Sequence, residues 1–147
     1  MTATFDGLGF EFMYPEGWEL QTDESAEWPR TVSVHSPTGA FVSLTLYERS
    51  DSPENLLDET LAALRTEYEE AEIHRTACSI PGMTDQDNYE ADFYCLDLLV
   101  TARVGKYETD RYVLLAFYQG ENRDFDKLIS VFDAIVLNTL NNLTKDP

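Results

Sequence analysis

His74 and Cys78 are the residue types from which a thiolate–imidazole pair is built. They fall on residues 73–80, a stretch that reads as a strand closed by Pro81-Gly82. Four residues along a strand cover about 13 Å and return to the same face. The two side chains therefore cannot hydrogen-bond to one another, and packing or exposure accounts for them better than catalysis. His35 lies beside a turn with no partner in the sequence and reads as a surface residue. Asp85, Asp87, Asn88, Glu90 and Asp92 resemble a calcium loop in composition. The match fails where Glu90 takes the place of the turning glycine and Leu96 that of the bidentate glutamate. Gly105-Lys106 is no phosphate loop, because Tyr107 and Val100 stand where a hydroxyl residue and the first glycine are needed. Gly-x-Ser-x-Gly and His-Glu-x-x-His are absent. No motif calls for a metal or a cofactor.

What remains is recognition chemistry. Trp18 and Trp28 each adjoin a turn, where an aromatic ring either wedges a loop against a sheet or stands out as a binding anchor. Glu67, Glu69 and Glu70 form an acidic run at the end of a helical stretch and suit a basic partner.

Several elements must position these residues. Phe10, Phe12 and Tyr14 alternate with other residues, which predicts a half-buried first strand after a loose lead-in over residues 1–9. Tyr14-Pro15-Glu16-Gly17 has the order of a type I turn, and Ser36-Pro37-Thr38-Gly39 repeats it. Glu19-Leu20 can begin a short strand, followed by a polar loop over residues 21–27. Residues 30–35 and 41–47 alternate on either side of the second turn and predict a hairpin. Ser52 as cap and Pro53 in the first position predict a helix to about Ala71, with Leu57, Leu61, Leu64 and Tyr68 as its apolar stripe. Residues 89–104 form an extended run too long for one strand, so an interruption near Leu96-Asp97 is expected. Gly105-Lys106 is placed near the following turn. Residues 111–118 are apolar on both faces, which predicts a central strand covered on both sides and broken by Gly120. A last helix over residues 123–140, capped by Asn122, turns Phe125, Leu128, Ile129, Phe132, Ile135, Val136 and Leu140 inward, and the tail beyond it should fray. The sum is one α+β domain over residues 1–147, an antiparallel sheet of about six strands with a helix on each face.

Composition narrows the function. The 147 residues include eight Phe, eight Tyr and two Trp, enough to build a core without staples. The formal net charge of −18 argues against nucleic acid and against anionic membranes, and it permits a basic partner. Met1 to Gly7 has neither a basic nor an apolar leader region, and Cys78 and Cys95 are too few for a disulfide scaffold. Two reduced thiols in a cytoplasmic protein are the expectation.

Phe12-Met13-Tyr14-Pro15-Glu16-Gly17-Trp18 resembles the "Phe-x-Tyr-Pro-x-Gly-Trp" opening of PsbP-like domains. The Val34–Gly39 hairpin turn, the Ser52-Pro53-Glu54 helix start, Tyr112-Val113-Leu114 and the closing Phe-containing helix are similar too. The resemblance runs through nearly the whole chain and implies an antiparallel α/β/α sandwich. Its relatives include an extrinsic photosystem II subunit, a factor that binds the GTPase Ran and many uncharacterised bacterial proteins, which share a fold and no single activity. The functional expectation is a non-enzymatic binding or adaptor module with a basic protein partner. The alternative is a small-molecule-binding protein or hydrolytic enzyme, and a deep pocket gathering His or Cys with an acid would favour it.

Overall fold

The first strand, β1 (Thr2–Gly7), lies where a loose lead-in was expected. Its alternation is half-exposed throughout, and Phe5 is its only large inward residue, so the sequence signal was weak. The predicted strand is therefore the second, β2 (Phe10–Pro15), which buries Phe10 and Phe12 and pairs with β1 as a separate two-stranded sheet. The computed structural model describes residues 1–22, 25, 27–80 and 88–143. The further elements are β3 (Glu19–Thr22), β4 (Arg30–His35), β5 (Phe41–Glu48), α1 (Leu56–Glu67), β6 (Glu72–Thr76), β7 (Asn88–Cys95), β8 (Leu98–Glu108), β9 (Tyr112–Glu121) and α2 (Asn122–Leu143). Seven strands form one antiparallel sheet in the order β3-β4-β5-β9-β8-β7-β6. The main sheet of the described residues thus has seven strands where about six were expected, and β1 and β2 form a second sheet beside it.

The double-sided apolar stretch is β9, the middle strand of the seven. Gly120 does not end it, because Thr101 of β8 still pairs there. The hairpin turn closes as expected, with the Gly39 amide donating to the Ser36 carbonyl at 3.2 Å and Gly39 at φ +97°. The first turn sits one residue later than predicted. The Trp18 amide donates to the Pro15 carbonyl, and Gly17 at φ +92° takes the third position, where a type II turn needs glycine. The extended run breaks at Leu96-Asp97 into the β7–β8 hairpin, with Cys95 opposite Leu98. Gly105-Lys106 lies inside β8 rather than near a turn. The ring of Tyr107 folds back over Gly105, and a Cβ there would stand 2.7 Å from the Tyr107 hydroxyl.

Helix α1 starts at Leu56, not at Ser52. Arg49–Asp51 forms a single 3₁₀ turn, and the Ser52 hydroxyl donates back to the Arg49 carbonyl, so it caps nothing ahead of it. Leu56 takes the buried place expected of Leu57, beside Leu61 and Leu64. The helix ends at Glu67, short of Ala71, where the Tyr68 ring stacks on Phe93 with centroids 3.9 Å apart. Helix α2 is capped by Glu121, whose carboxylate accepts the Asp124 amide at 3.4 Å, and not by Asn122. It runs to Leu143, further than expected, because Asn142 donates to the Glu11 carbonyl of β2 at 2.7 Å; residues 144–147 lie outside the described ones.

Two apolar clusters hold these elements. One joins Phe12 of β2, Leu44 of β5, Leu114 and Tyr118 of β9, and Phe125 and Phe132 of α2. The other joins Leu64 and Tyr68 to Ala91, Phe93, Ala102 and Phe117. No described helix is long and apolar enough to cross a membrane.

Candidate functional site

In an antiparallel sheet, residues opposite one another share a face. One row across the β6 side of the sheet reads Glu72, Asp92, Thr101 and Gly120, and the next reads His74, Glu90, Arg103 and Tyr118. The rows pass from apolar beneath α2 to charged at the β6 edge.

That edge has a step. β6 pairs with β7 only as far as Glu72 opposite Asp92, so Phe93, Tyr94 and Cys95 have no β6 neighbour. A cavity of about 590 Å³ occupies the step, lined by Glu70, Glu72, Asp92, Phe93, Tyr94, Leu99 and Asn122. Its lining includes residues from both faces of β7 because it sits beyond the end of the neighbouring strand. Asn122, at the start of α2, donates through Nδ2 to Thr101 Oγ1 at 2.8 Å, and the Thr101 hydroxyl donates to Asp92 Oδ1 at 2.8 Å. Asp92 is thereby oriented by a part-buried relay that runs through the buried Thr101 and is anchored on a helix. Among the described residues, no cation pairs with Glu70, Glu72 or Asp92. The cavity can neutralise a cationic group, and the Tyr94 ring, 70 % exposed, offers it a face. No three His, Cys, Asp or Glu side chains among the described residues gather as a metal site.

A second polar cluster lies deeper. Arg103 donates to Glu90 Oε2 at 2.7 Å and to Ser79 Oγ at 2.8 Å. Ser79 donates to Asp133 Oδ2 at 2.5 Å, and Tyr118 donates to Asp133 Oδ1 at 2.8 Å. Burial first, then Asp133, pushes the Tyr118 hydroxyl well above its ordinary pKa. Cys78 Sγ lies 3.6 Å from the Tyr107 hydroxyl, which donates to Asn88 Oδ1. Burial and the neighbouring Cys78 push Tyr107 up as well. The cluster ties residues 78–79 and α2 to the sheet.

The residues singled out in sequence are dispersed. Trp18 packs edge-on against Phe132 at 5.9 Å. Trp28 packs against Tyr112 at 5.8 Å and carries the Arg30 guanidinium 4.1 Å above its ring. Both tryptophans are half-buried. Glu67, Glu69 and Glu70 are exposed, and only Glu70 reaches the cavity. His74 is exposed on β6, while Cys78 has left that strand, which ends at Thr76. His35 is half-buried rather than a surface residue, stacked on Phe41 with its Nε2 3.0 Å from Ser33 Oγ. Cys78 and Cys95 are free thiols. Asp85 and Asp87 lie outside the described residues, and Glu90 and Asp92 are engaged by Arg103 and Thr101. Glu72, Tyr94, Leu99 and Asn122 were not read as site residues. Asn122 had a signal as a helix start, but its reach across to β8 had none.

Of known structures, the cyanobacterial PsbP (CyanoP) of Synechocystis sp. PCC 6803 superposes with a TM-score of 0.51 at 16% identity, covering 93% of this chain and 90% of that one. LpqN of Mycobacterium tuberculosis, described as involved in cell envelope biogenesis, gives 0.47 at 12% identity over 84% and 78% of the two chains. PA94 of Pseudomonas aeruginosa, of unknown function, gives 0.46 at 12% identity over 99% and 96%. No family model matches the chain, and no curated protein does. The likeness to cyanobacterial PsbP shows the PsbP-like fold expected from the Tyr-Pro-x-Gly-Trp motif.

Proposed function

We propose that this chain is a non-enzymatic protein-binding module that receives a basic side chain of its partner in the cavity at the β6 step. One observation carries the reading: Glu70, Glu72 and Asp92 converge there from a loop and two strands, with no described cation to neutralise them. Asp92, held in place by Thr101, offers a fixed acceptor for a charge-assisted hydrogen bond to a guanidinium, the exposed Glu70 and Glu72 add negative charge beside it, and Tyr94 supplies an aromatic face. The rest of the reading is a sandwich with helices on both faces. Its support is that the α2 cluster uses Leu114, Ala116 and Tyr118 of β9 while the α1 cluster uses Phe117, and alternate strand residues point to opposite faces.

The test is a titration with N-acetylarginine amide followed by amide NMR shifts. Saturable shifts are expected around Glu72, Asp92–Tyr94 and Asn122, weakened by salt and lost in Glu70→Gln/Glu72→Gln. Shifts spread evenly over the acidic surface, or none, would overturn the reading.

A second reading, a binder of small apolar ligands, rests on an apolar groove of about 490 Å³ between β2 and α2, lined by Met13, Tyr14, Val131, Ala134 and Leu137 among others. An NMR fragment screen that perturbs these residues and leaves the acidic cavity untouched would favour it.

A further inference from the structure

The tip of the β7–β8 hairpin breaks two rules at once. β6 stops pairing at Asp92 and β9 stops at Val100, so residues 94–99, with Tyr94 opposite Leu99 and Cys95 opposite Leu98, project beyond both neighbours as a two-stranded ear. Soluble surfaces scatter their exposed apolar side chains singly. Here three of the five large exposed ones among the described residues fall within residues 94–98: Tyr94 at 70 %, Leu96 at 93 % and Leu98 at 54 %. The two turn residues, Leu96 and Asp97, have φ of +50° and +67°. A two-residue hairpin turn with both φ positive calls for Asn-Gly or Asp-Gly, and leucine suits it poorly. The β1–β2 turn has the same peculiarity at Leu8, φ +55°, but Leu8 packs against the main core, and that burial offsets the strain. Leu96 touches no core. Neither backbone preference nor packing within the chain explains a leucine at that point.

We propose that the ear is the apolar half of the partner site, and that the partner presents a segment with Lys or Arg next to one or more large apolar residues. The inference rests on the reading of the acidic cavity given above, which supplies the other half. Two observations commit to this occupant. Tyr94 and Leu99 line the acidic cavity and belong to the ear, so the charged and apolar surfaces are continuous. The surroundings are strongly acidic, with Glu70, Glu72 and Asp92 at the base of the ear and −18 on the whole chain. That charge opposes a second copy of this chain and an anionic membrane, and favours a basic segment. The apolar residues of the segment cover Leu96 and Leu98 while its cation enters the cavity.

The experiment is a selection of random phage-displayed dodecapeptides on the intact protein. The recovered peptides are then measured on the wild type, on Leu96→Gly/Leu98→Ser and on Glu70→Gln/Glu72→Gln. Peptides pairing Lys or Arg with a large apolar neighbour are expected, with affinity falling tenfold or more on each variant. Glycine suits φ +50° better than leucine, so Leu96→Gly should raise the melting temperature, and lost binding cannot then be ascribed to misfolding. Undiminished affinity for Leu96→Gly/Leu98→Ser would overturn the ear proposal while leaving the cavity reading standing if the carboxylate variant still fails. Apolar peptides without a basic residue would overturn the cavity reading and with it the partner proposed here. Enrichment of no common pattern would overturn both. Dimerisation, or co-sedimentation with phosphatidylcholine vesicles, that is abolished by Leu96→Gly/Leu98→Ser would give the ear to a different occupant and overturn the proposal.

Discussion

Tyr118 sits in the main core with its hydroxyl directed at Asp133, and both surroundings hold its proton in place. Burial denies the phenolate solvation, and the Asp133 carboxylate repels it. Tyr107 is held in the same sense by burial and by Cys78. A pKa raised in the folded state above an unfolded value near 10 gives stability that is fully present below about pH 10. Above that pH the unfolded chain releases protons that the folded chain retains, so stability falls as pH rises towards the folded values. Tyr118→Phe should lose about 1–3 kcal/mol at neutral pH, since it removes a hydrogen bond to a charged acceptor. The same variant should lose stability more gently than the wild type above about pH 10, because one of the retained protons is gone. Urea titrations at neutral pH and at several alkaline values read both effects, and parallel alkaline curves for the two proteins would contradict the assignment. None of this chemistry was legible in sequence. Tyr118 reads there as one more residue of a buried strand, and its partner lies on the helix that folds back over the sheet.

Elements were legible where a short-range rule decides them. The Ser36–Gly39 turn, the β4–β5 hairpin, the central place of β9 and the interruption at Leu96-Asp97 all follow from local spacing, and so does the inward face of α2. Boundaries set by tertiary partners were misplaced. Ser52 hydrogen-bonds backwards, Asn142 reaches β2, and Gly120 stays in its strand because the neighbouring strand pairs through it. Gly120 shows which effect prevails when packing and chain entropy oppose one another. A Cβ there would stand 2.8 Å from Ala40 Cβ, and Ala40 is 1 % exposed and moves only with its backbone. Stiffening the unfolded chain by Gly→Ala favours folding by about 0.4–1 kcal/mol where the native site is free. Overpacking costs about 1–3 kcal/mol. Gly120→Ala should therefore be net destabilising, by roughly 1–2 kcal/mol at the denaturation midpoint on these ranges. Stability equal to the wild type, measured by urea unfolding, would mean that β9 and the turn at Ala40 can separate without loss. The cavity at the β6 step was illegible for a related reason: it exists because β6 is shorter than β7, and strand length is decided by pairing.

Charge acts on the molecule as a whole. Twenty-eight acidic residues face ten basic ones, and folding draws that excess into a smaller volume than the unfolded chain occupies. Arg103, Lys106 and Arg123 each pair with a carboxylate, and of these three pairs only Arg103 with Glu90 is well shielded from water. Self-repulsion therefore opposes the compact state and reaches far at low ionic strength, with a screening length of about 30 Å at 0.01 M salt and about 10 Å at 0.1 M. Raising sodium chloride from about 0.01 M to about 0.5 M shortens that length to a few ångströms and should raise the melting temperature by several degrees. The buried Arg103–Glu90 pair responds in the opposite direction but weakly, since it is largely out of reach of the ions. Binding of a basic segment at Glu70, Glu72 and Asp92 must weaken over the same range, because the charge that destabilises the fold is the charge that attracts the partner. A melting temperature that rises with salt while affinity falls is the signature of that shared origin. A melting temperature that is flat or falling over this range would show that the acidic surface is neutralised within the folded chain, and the electrostatic basis of the proposed partner site would fall with it.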